Sequence, residues 1–171
     1  MKNSREASKV KLSRTVTKPI IGGALLIDKK QIGIYIIDNH LKDNYFWKEL
    51  IKLFAVIGQT FEIHCWNEET FEIAMALQLG KQKFTDWEYG VIIEGVIDDN
   101  FIDTLCHIEK PLNNEISNKM IPFFSIFLEN GFSSEHYGTE IHILSEPRDK
   151  AKLHILLEQM RNYALICEDN L

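Results

Sequence analysis

Residues 61–66, Phe61-Glu62-Ile63-His64-Cys65-Trp66, switch between an apolar and a polar face at every step. Side chains of an extended strand alternate with a period of two, so this run has one face to bury and one to leave toward water. A lone strand cannot do that. It needs neighbours along its edges and a second layer, of helices or of another sheet, over the apolar side, and that requirement limits the kinds of fold available. At 171 residues the chain has the length of a single domain.

The rest of the text supplies candidates for both layers. Ile20 to Ile27 and Gln31 to Ile37 are β-rich runs separated by Asp28-Lys29-Lys30, the pattern of a hairpin. The second run is apolar on both faces, which suits a strand with a neighbour on each side. Phe46, Leu50, Leu53, Phe54 and Ile57 then follow at helical spacing, with Gly58 as a stop. After residues 61–66, Asn67 is placed to cap a helix running to Gly80, with Phe71, Met75 and Leu79 facing inward. Val91 to Ile97 reads as a strand, and residues 99–108 as a short helix.

The segment 119–130 holds Phe123, Phe124, Phe127 and Leu128 behind Asn118 and Pro122. It reads as an unusually apolar helix, with Pro122 in its first turn, where a missing N–H costs little. Residues 139–144 form a further strand, and Pro147 opens a final helix on Leu153, Leu156, Leu157, Met160 and Ala164. The order is β-β-α-β-α-β-α-α-β-α, without an internal repeat. The expected architecture is α+β: one mixed, mostly antiparallel sheet of about five strands with helices mainly on one face.

Charge divides the chain. Residues 1–18 carry six basic side chains against Glu6, a balance of +5, while the other 13 basic and 24 acidic residues leave −11 for 19–171. Residues 1–18 are therefore expected to be a disordered basic tail, and 19–171 a single α+β domain. Lys2, Arg5, Lys9, Lys11, Arg14 and Lys18 interrupt any signal-peptide core, and no run of about 18 apolar residues exists to span a bilayer. Cys65, Cys106 and Cys167 are an odd number at wide spacings, as in a reduced cytoplasmic protein. An acidic body repels phosphates, which disfavours nucleic acid, and attracts basic proteins.

Common catalytic signatures are missing. Gly22-Gly23 lacks the lysine and strand–helix setting of a phosphate loop, and there is no Gly-x-Ser-x-Gly, Cys-x-x-Cys or His-Glu-x-x-His. His64-Cys65 and Cys106-His107 contain zinc-type donors, but adjacent strand residues point to opposite faces, so neither a metal nor another cofactor is expected. Asp38, Asn39 and His40 end a strand and suit a turn as well as a ligand contact.

Two surfaces remain as candidates. Period two gathers Glu62 and His64 on one face, and Glu140 with His142 on another strand. If those strands are neighbours, Glu62, His64, Glu94 and His142 are the residues for general acid–base chemistry, since histidine titrates near neutrality. The plainer reading is a solvated polar sheet face. Glu94 either joins that face or is a buried functional acid.

The second candidate is an acidic and aromatic surface made by Trp66, Glu68, Glu69, Asp86, Trp87 and Glu88. Tryptophan beside carboxylates is the composition of an interface for a basic protein. The run Phe61-Glu62-Ile63-His64-Cys65-Trp66-Asn67-Glu68-Glu69, in a small acidic α+β chain without enzyme motifs, resembles the immunity proteins of bacterial polymorphic-toxin and contact-dependent growth inhibition systems. The resemblance implies a non-enzymatic, cytoplasmic inhibitor that binds a cognate toxin, often a nuclease with a basic groove. It carries over no inhibitory residue by position.

Overall fold

A computed structural model of the chain describes residues 30–37, 41–112 and 119–170. In chain order these hold β1 (Lys30–Ile36), α1 (Tyr45–Phe54), β2 (Thr60–Trp66), α2 (Thr70–Ala76), β3 (Lys81–Lys83), β4 (Gly90–Val96) and α3 (Asp99–His107). They continue with β5 (Ser125–Leu128), β6 (Phe132–Glu135), β7 (Glu140–Ile143), α4 (Lys150–Met160) and β8 (Ala164–Asn170). The strands form one sheet in the order β3-β4-β2-β5-β6-β7-β1-β8, and every pairing in it is antiparallel.

The alternation in β2 and β7 sets the faces of this sheet. Phe61, Ile63 and Cys65 are buried, as are Ile141 and Ile143, and across the pairings they align with Ile93, Ile126, Ile32 and Ile34. Trp47, Leu50, Phe54, Phe101, Leu105, Leu153 and Leu157 from α1, α3 and α4 close over that layer. Phe54 stacks on Phe132 at 5.2 Å, and Phe61 meets Phe101 at 4.2 Å. Trp47 Nε1 donates to Ser134 Oγ at 2.8 Å, which satisfies the one polar group its deep burial would otherwise leave bare. Glu62, His64, Glu140 and His142 project to the opposite face, as the period of two requires.

The α+β class and the one-sided helix layer match the expectation, but among the described residues the sheet has eight strands rather than about five, and no parallel pair. The largest correction is the segment read as a helix over 119–130. Its centre is β5, with Ile126 and Leu128 in the core and Ser125 and Phe127 on the other face. A short apolar run that is buried on both sides has no periodicity to separate helix from strand, and the aromatic and β-branched content decides for the strand. Gly131, at φ +90, turns β5 into β6. β6 is Phe-Ser-Ser-Glu and β3 is Lys-Gln-Lys, so neither carries a strong apolar signal, and the apolar start of β8, Ala-Leu-Ile-Cys, follows directly on a helical pattern.

Boundaries also move. α1 stops at Phe54, leaving Ile57 beyond it and exposed. α2 starts at Thr70, three residues after Asn67; Ile73, Met75 and Ala76, with Leu79 beyond its end, pack on the core as expected for Met75 and Leu79, while Phe71 stands in solvent. Asp98 caps α3 by accepting from Phe101 N at 2.7 Å, and Asp149 caps α4 by accepting from Lys152 N at 2.9 Å. Ala164, read as the end of the last helix, is the first residue of β8. β1 has β7 on one edge and β8 on the other, so the expected interior position of residues 31–37 holds. The tail 1–18, the first run of the expected hairpin, Asp38, Asn39, His40 and Asn118 lie outside the described residues.

Candidate functional site

The glutamate–histidine set does not assemble as one cluster. β5 and β6 lie between β2 and β7, so three strand spacings of about 4.8 Å, roughly 14 Å, separate His64 from His142. His142 packs edge-on against Tyr35 of β1, with ring centroids 5.8 Å apart. Glu62 and Glu94 do meet, as direct cross-strand partners. Two carboxylates in that position repel, and lysines from the edge strand relieve it: Lys83 Nζ lies 2.5 Å from Glu62 and 4.0 Å from Glu94, and Lys81 lies 3.7 Å from Glu94. Glu94 thus belongs to the polar face rather than to the core.

Electrostatics at this cluster oppose an acid role. The hydrogen bond from Lys83 outweighs desolvation and, with a smaller contribution from His64, holds the Glu62 carboxyl below the usual carboxylate range. A general acid near neutrality needs the reverse shift. His64 Nε2 lies 3.2 Å from Glu62 Oε2, and its ring sits between Phe127 at 4.8 Å and Trp87 at 5.7 Å. A shallow depression of about 300 Å³ adjoins Glu62, Lys81 and Glu94. A larger, open one of about 680 Å³ lies by α3 and is lined by Lys52, Asp103, Cys106 and His107. Burial pushes the Cys106 thiol up, away from the nucleophilic thiolate. Among the described residues no group of three or more His, Cys, Asp or Glu side chains can hold a metal ion.

The acidic and aromatic residues converge more closely. β2 delivers Trp66 to the open side of the sheet, and the loop of residues 84–89 brings Trp87 back over it, ring centroids 5.3 Å apart. Trp66 also packs on Phe124 at 4.8 Å. A Cβ on Gly90 would stand 2.3 Å from the Trp87 ring and 2.7 Å from the Cys65 carbonyl, so only glycine admits the indole here. Asn67 ties the two turns together: its N–H donates to Tyr89 O at 3.1 Å and its side-chain amide donates to Glu88 O at 2.8 Å. Residues 67–72 and 84–89 are thereby joined, and between them they carry Glu68, Glu69, Glu72, Asp86 and Glu88 with no basic side chain.

These carboxylates are not equivalent. Glu68, Asp86 and Glu88 are exposed. Glu69 is turned inward: Oε2 accepts from Trp66 N at 2.9 Å, and Oε1 accepts from Tyr137 Oη at 2.8 Å with Lys119 Nζ at 3.5 Å. Lys119 also lies over the Tyr137 ring, 3.5 Å from its centroid. Desolvation first, and then the bond to Glu69, raise the Tyr137 phenol well above its ordinary range, so it stays a donor. Of the six residues expected at an interface, three acids face solvent, both tryptophans are half-buried, and Glu69 holds the frame.

Sequence reasoning did not choose the free-standing aromatics as contact residues, and it turned Phe71 inward. Phe84 is 99% exposed, Phe71 72% and Tyr89 65%. Phe84 and Tyr89 open and close the 84–89 loop, and Phe71 lies in the first turn of α2. Their proximity to Trp87 or to the β2–α2 turn was visible in the text, but exposure has no sequence signature. Fold and site together define an α+β protein on one eight-stranded antiparallel sheet, with an acidic, aromatic-bearing end. In comparisons with known proteins, no family model, no curated protein and no solved structure matches the chain. Among the described residues no helix is long and apolar enough to cross a membrane.

Proposed function

We propose that this chain is a binding protein of the immunity type, a cytoplasmic inhibitor that neutralises a cognate basic toxin domain such as a nuclease. The observation that carries the reading is the joined pair of turns at residues 67–72 and 84–89, which has five acids, no base and three exposed aromatics. A concentrated negative field steers a basic protein into encounter, and exposed rings supply apolar area once contact is made. The acid–base alternative loses support from the lowered Glu62 carboxyl and from the distance to His142.

The test uses the protein encoded by the adjoining gene, since a toxin and its antidote must be made together. Binding is followed by surface-immobilised kinetics, and protection by growth of cells producing both proteins. Reversing Glu68, Asp86 and Glu88 to lysine is expected to slow association more than it speeds dissociation, and salt should shrink the difference as the Debye length falls to about 8 Å at physiological strength. Tight binding that ignores both the reversals and the salt would exclude this surface. Failure of the wild-type chain to bind or protect would remove the immunity reading.

A further inference from the structure

The binding reading leaves open what a partner must present, and the exposed aromatics answer that. A phenylalanine that is 99% exposed contributes almost nothing to its own fold. Phe84 nevertheless follows directly on Lys83, whose ammonium is held by Glu62 at 2.5 Å. The far end of its loop is held by Asn67 through two hydrogen bonds to residues 88 and 89. Within the loop, Trp87 N donates to Thr85 Oγ1 at 3.1 Å, and the indole is seated over Gly90. The ring is therefore carried on a frame anchored at both ends, and a rigid frame reduces the ordering entropy that docking would cost.

Trp66 and Trp87 have the opposite character. Each packs on the other, Trp66 also meets Phe124, and Trp87 also meets His64. Those contacts build the platform beneath the loop. The acids that face solvent, Asp86 and Glu88, lie two and four residues from Phe84, and Glu68 lies next to Asn67, the residue that pins the loop. An apolar tip on a loop whose own exposed charges, Asp86 and Glu88, are both negative is complementary to an apolar socket with a basic rim.

We propose that Phe84 is the anchor of the interface, entering an apolar pocket on a partner protein whose rim is basic, with the exposed rings of Tyr89 and Phe71 in the two joined segments adding contact area and Trp66 and Trp87 positioning the loop. This rests on the binding reading, and the experiment separates the two. With the adjoining gene's product as the probe, Phe84→Ala is expected to weaken binding by about 30-fold or more, chiefly through faster dissociation, as removal of an anchor does. Its melting temperature should equal that of the wild type, because the ring buries no area in the free protein. Phe84→Trp should restore binding to within about threefold, since a larger ring keeps the apolar contact. Phe84→Ala binding at wild-type strength, while the Glu68, Asp86 and Glu88 reversals still slow association, would overturn the anchor and leave the binding reading standing. A lowered melting temperature for Phe84→Ala would also overturn it, by showing that the ring packs in its own fold. Absence of any wild-type binding to the probe would overturn both.

Discussion

Replacing Glu69 by alanine removes an acceptor from three donors at once: the Trp66 N–H at 2.9 Å, the Tyr137 hydroxyl at 2.8 Å and the Lys119 ammonium at 3.5 Å. The carboxylate is only 13% exposed and the ammonium 17%, so water cannot fully replace it. A half-buried neutral donor left bare costs about 1 kcal/mol, and the charged contact, long and partly solvated, adds no more than about 1. The loss is therefore about 2–3 kcal/mol, or roughly 4–12 °C in Tm for a chain of this length. Urea denaturation followed by tryptophan fluorescence and by circular dichroism measures it, with Glu68→Ala as the control. Glu68 is exposed, so its removal should stay within about 0.5 kcal/mol of wild type. Tyr137→Phe should cost about 1 kcal/mol, and the double variant with Glu69→Ala should cost less than the sum, because both delete the same bond. A Glu69→Ala protein as stable as Glu68→Ala would refute the inward role and return Glu69 to the exposed acids of the 67–72 turn.

Three other outcomes check separate parts of the molecule. Phe123→Ala, at a fully buried site, should lower unfolding free energy by about 3–5 kcal/mol in urea, while Phe127→Ala, half-buried against His64, should cost less than half of that. Glu49 joins α1 to α4 by accepting from Lys152 at 2.6 Å and Lys52 at 2.7 Å, bonds that hold its carboxyl below the ordinary value of 4.5. Because the folded pKa is depressed, that stability is full above about pH 4.5 and is lost as pH falls through the lower folded value; Glu49→Gln should be about 1–2 kcal/mol less stable than wild type at pH 7 and approach it in acid. Gly138→Ala should destabilise by about 1–2 kcal/mol, since φ is +80 and the new methyl would sit 3.1 Å from Met120 Cβ; an unchanged denaturation midpoint would contradict the left-handed turn.

The fold was legible wherever one face is buried and the other wet. Residues 61–66 and 140–143 announced their inward sets, Ile63 and Cys65 with Ile141 and Ile143, and all are buried. Helices α1, α3 and α4 were legible from their apolar spacing. Legibility failed where the alternation fails. β5 sets Phe127 opposite Ile126 and Leu128, so its apolar residues do not alternate, and it was read as a helix; β6 buries Ser133 and Ser134, whose hydroxyls find partners in the folded state, Glu135 and Trp47. β8 depends on pairing with all of β1, from Lys30↔Asn170 to Ile36↔Ala164, rather than on any pattern of its own. In the same way the strand order put β5 and β6 between the two histidine-bearing strands, and no local text fixes which strands become neighbours.

At the candidate site the illegible part is the support, and it is strained. His136 and Tyr137 lie at φ 47 and 61, left-handed values that a bulky residue rarely adopts. Such backbone costs of order 1–3 kcal/mol per residue and persists only where its surroundings fix it. Here they do. Tyr137 N donates to Phe124 O at 2.9 Å, and the Tyr137 carbonyl accepts from Met120 N at 2.8 Å and Ile121 N at 3.1 Å. That geometry swings the phenol to Glu69, a residue 68 positions away in sequence, and Glu69 in turn fixes the start of the turn that bears Glu68 and Asn67. Asn67 pins the loop that displays Asp86, Glu88 and Phe84. The residues that would meet a partner thus owe their placement to Tyr137 and Glu69, which are turned inward. The strain at the β6–β7 turn is offset by contacts that run from Tyr137 through Glu69 to the acidic, aromatic end.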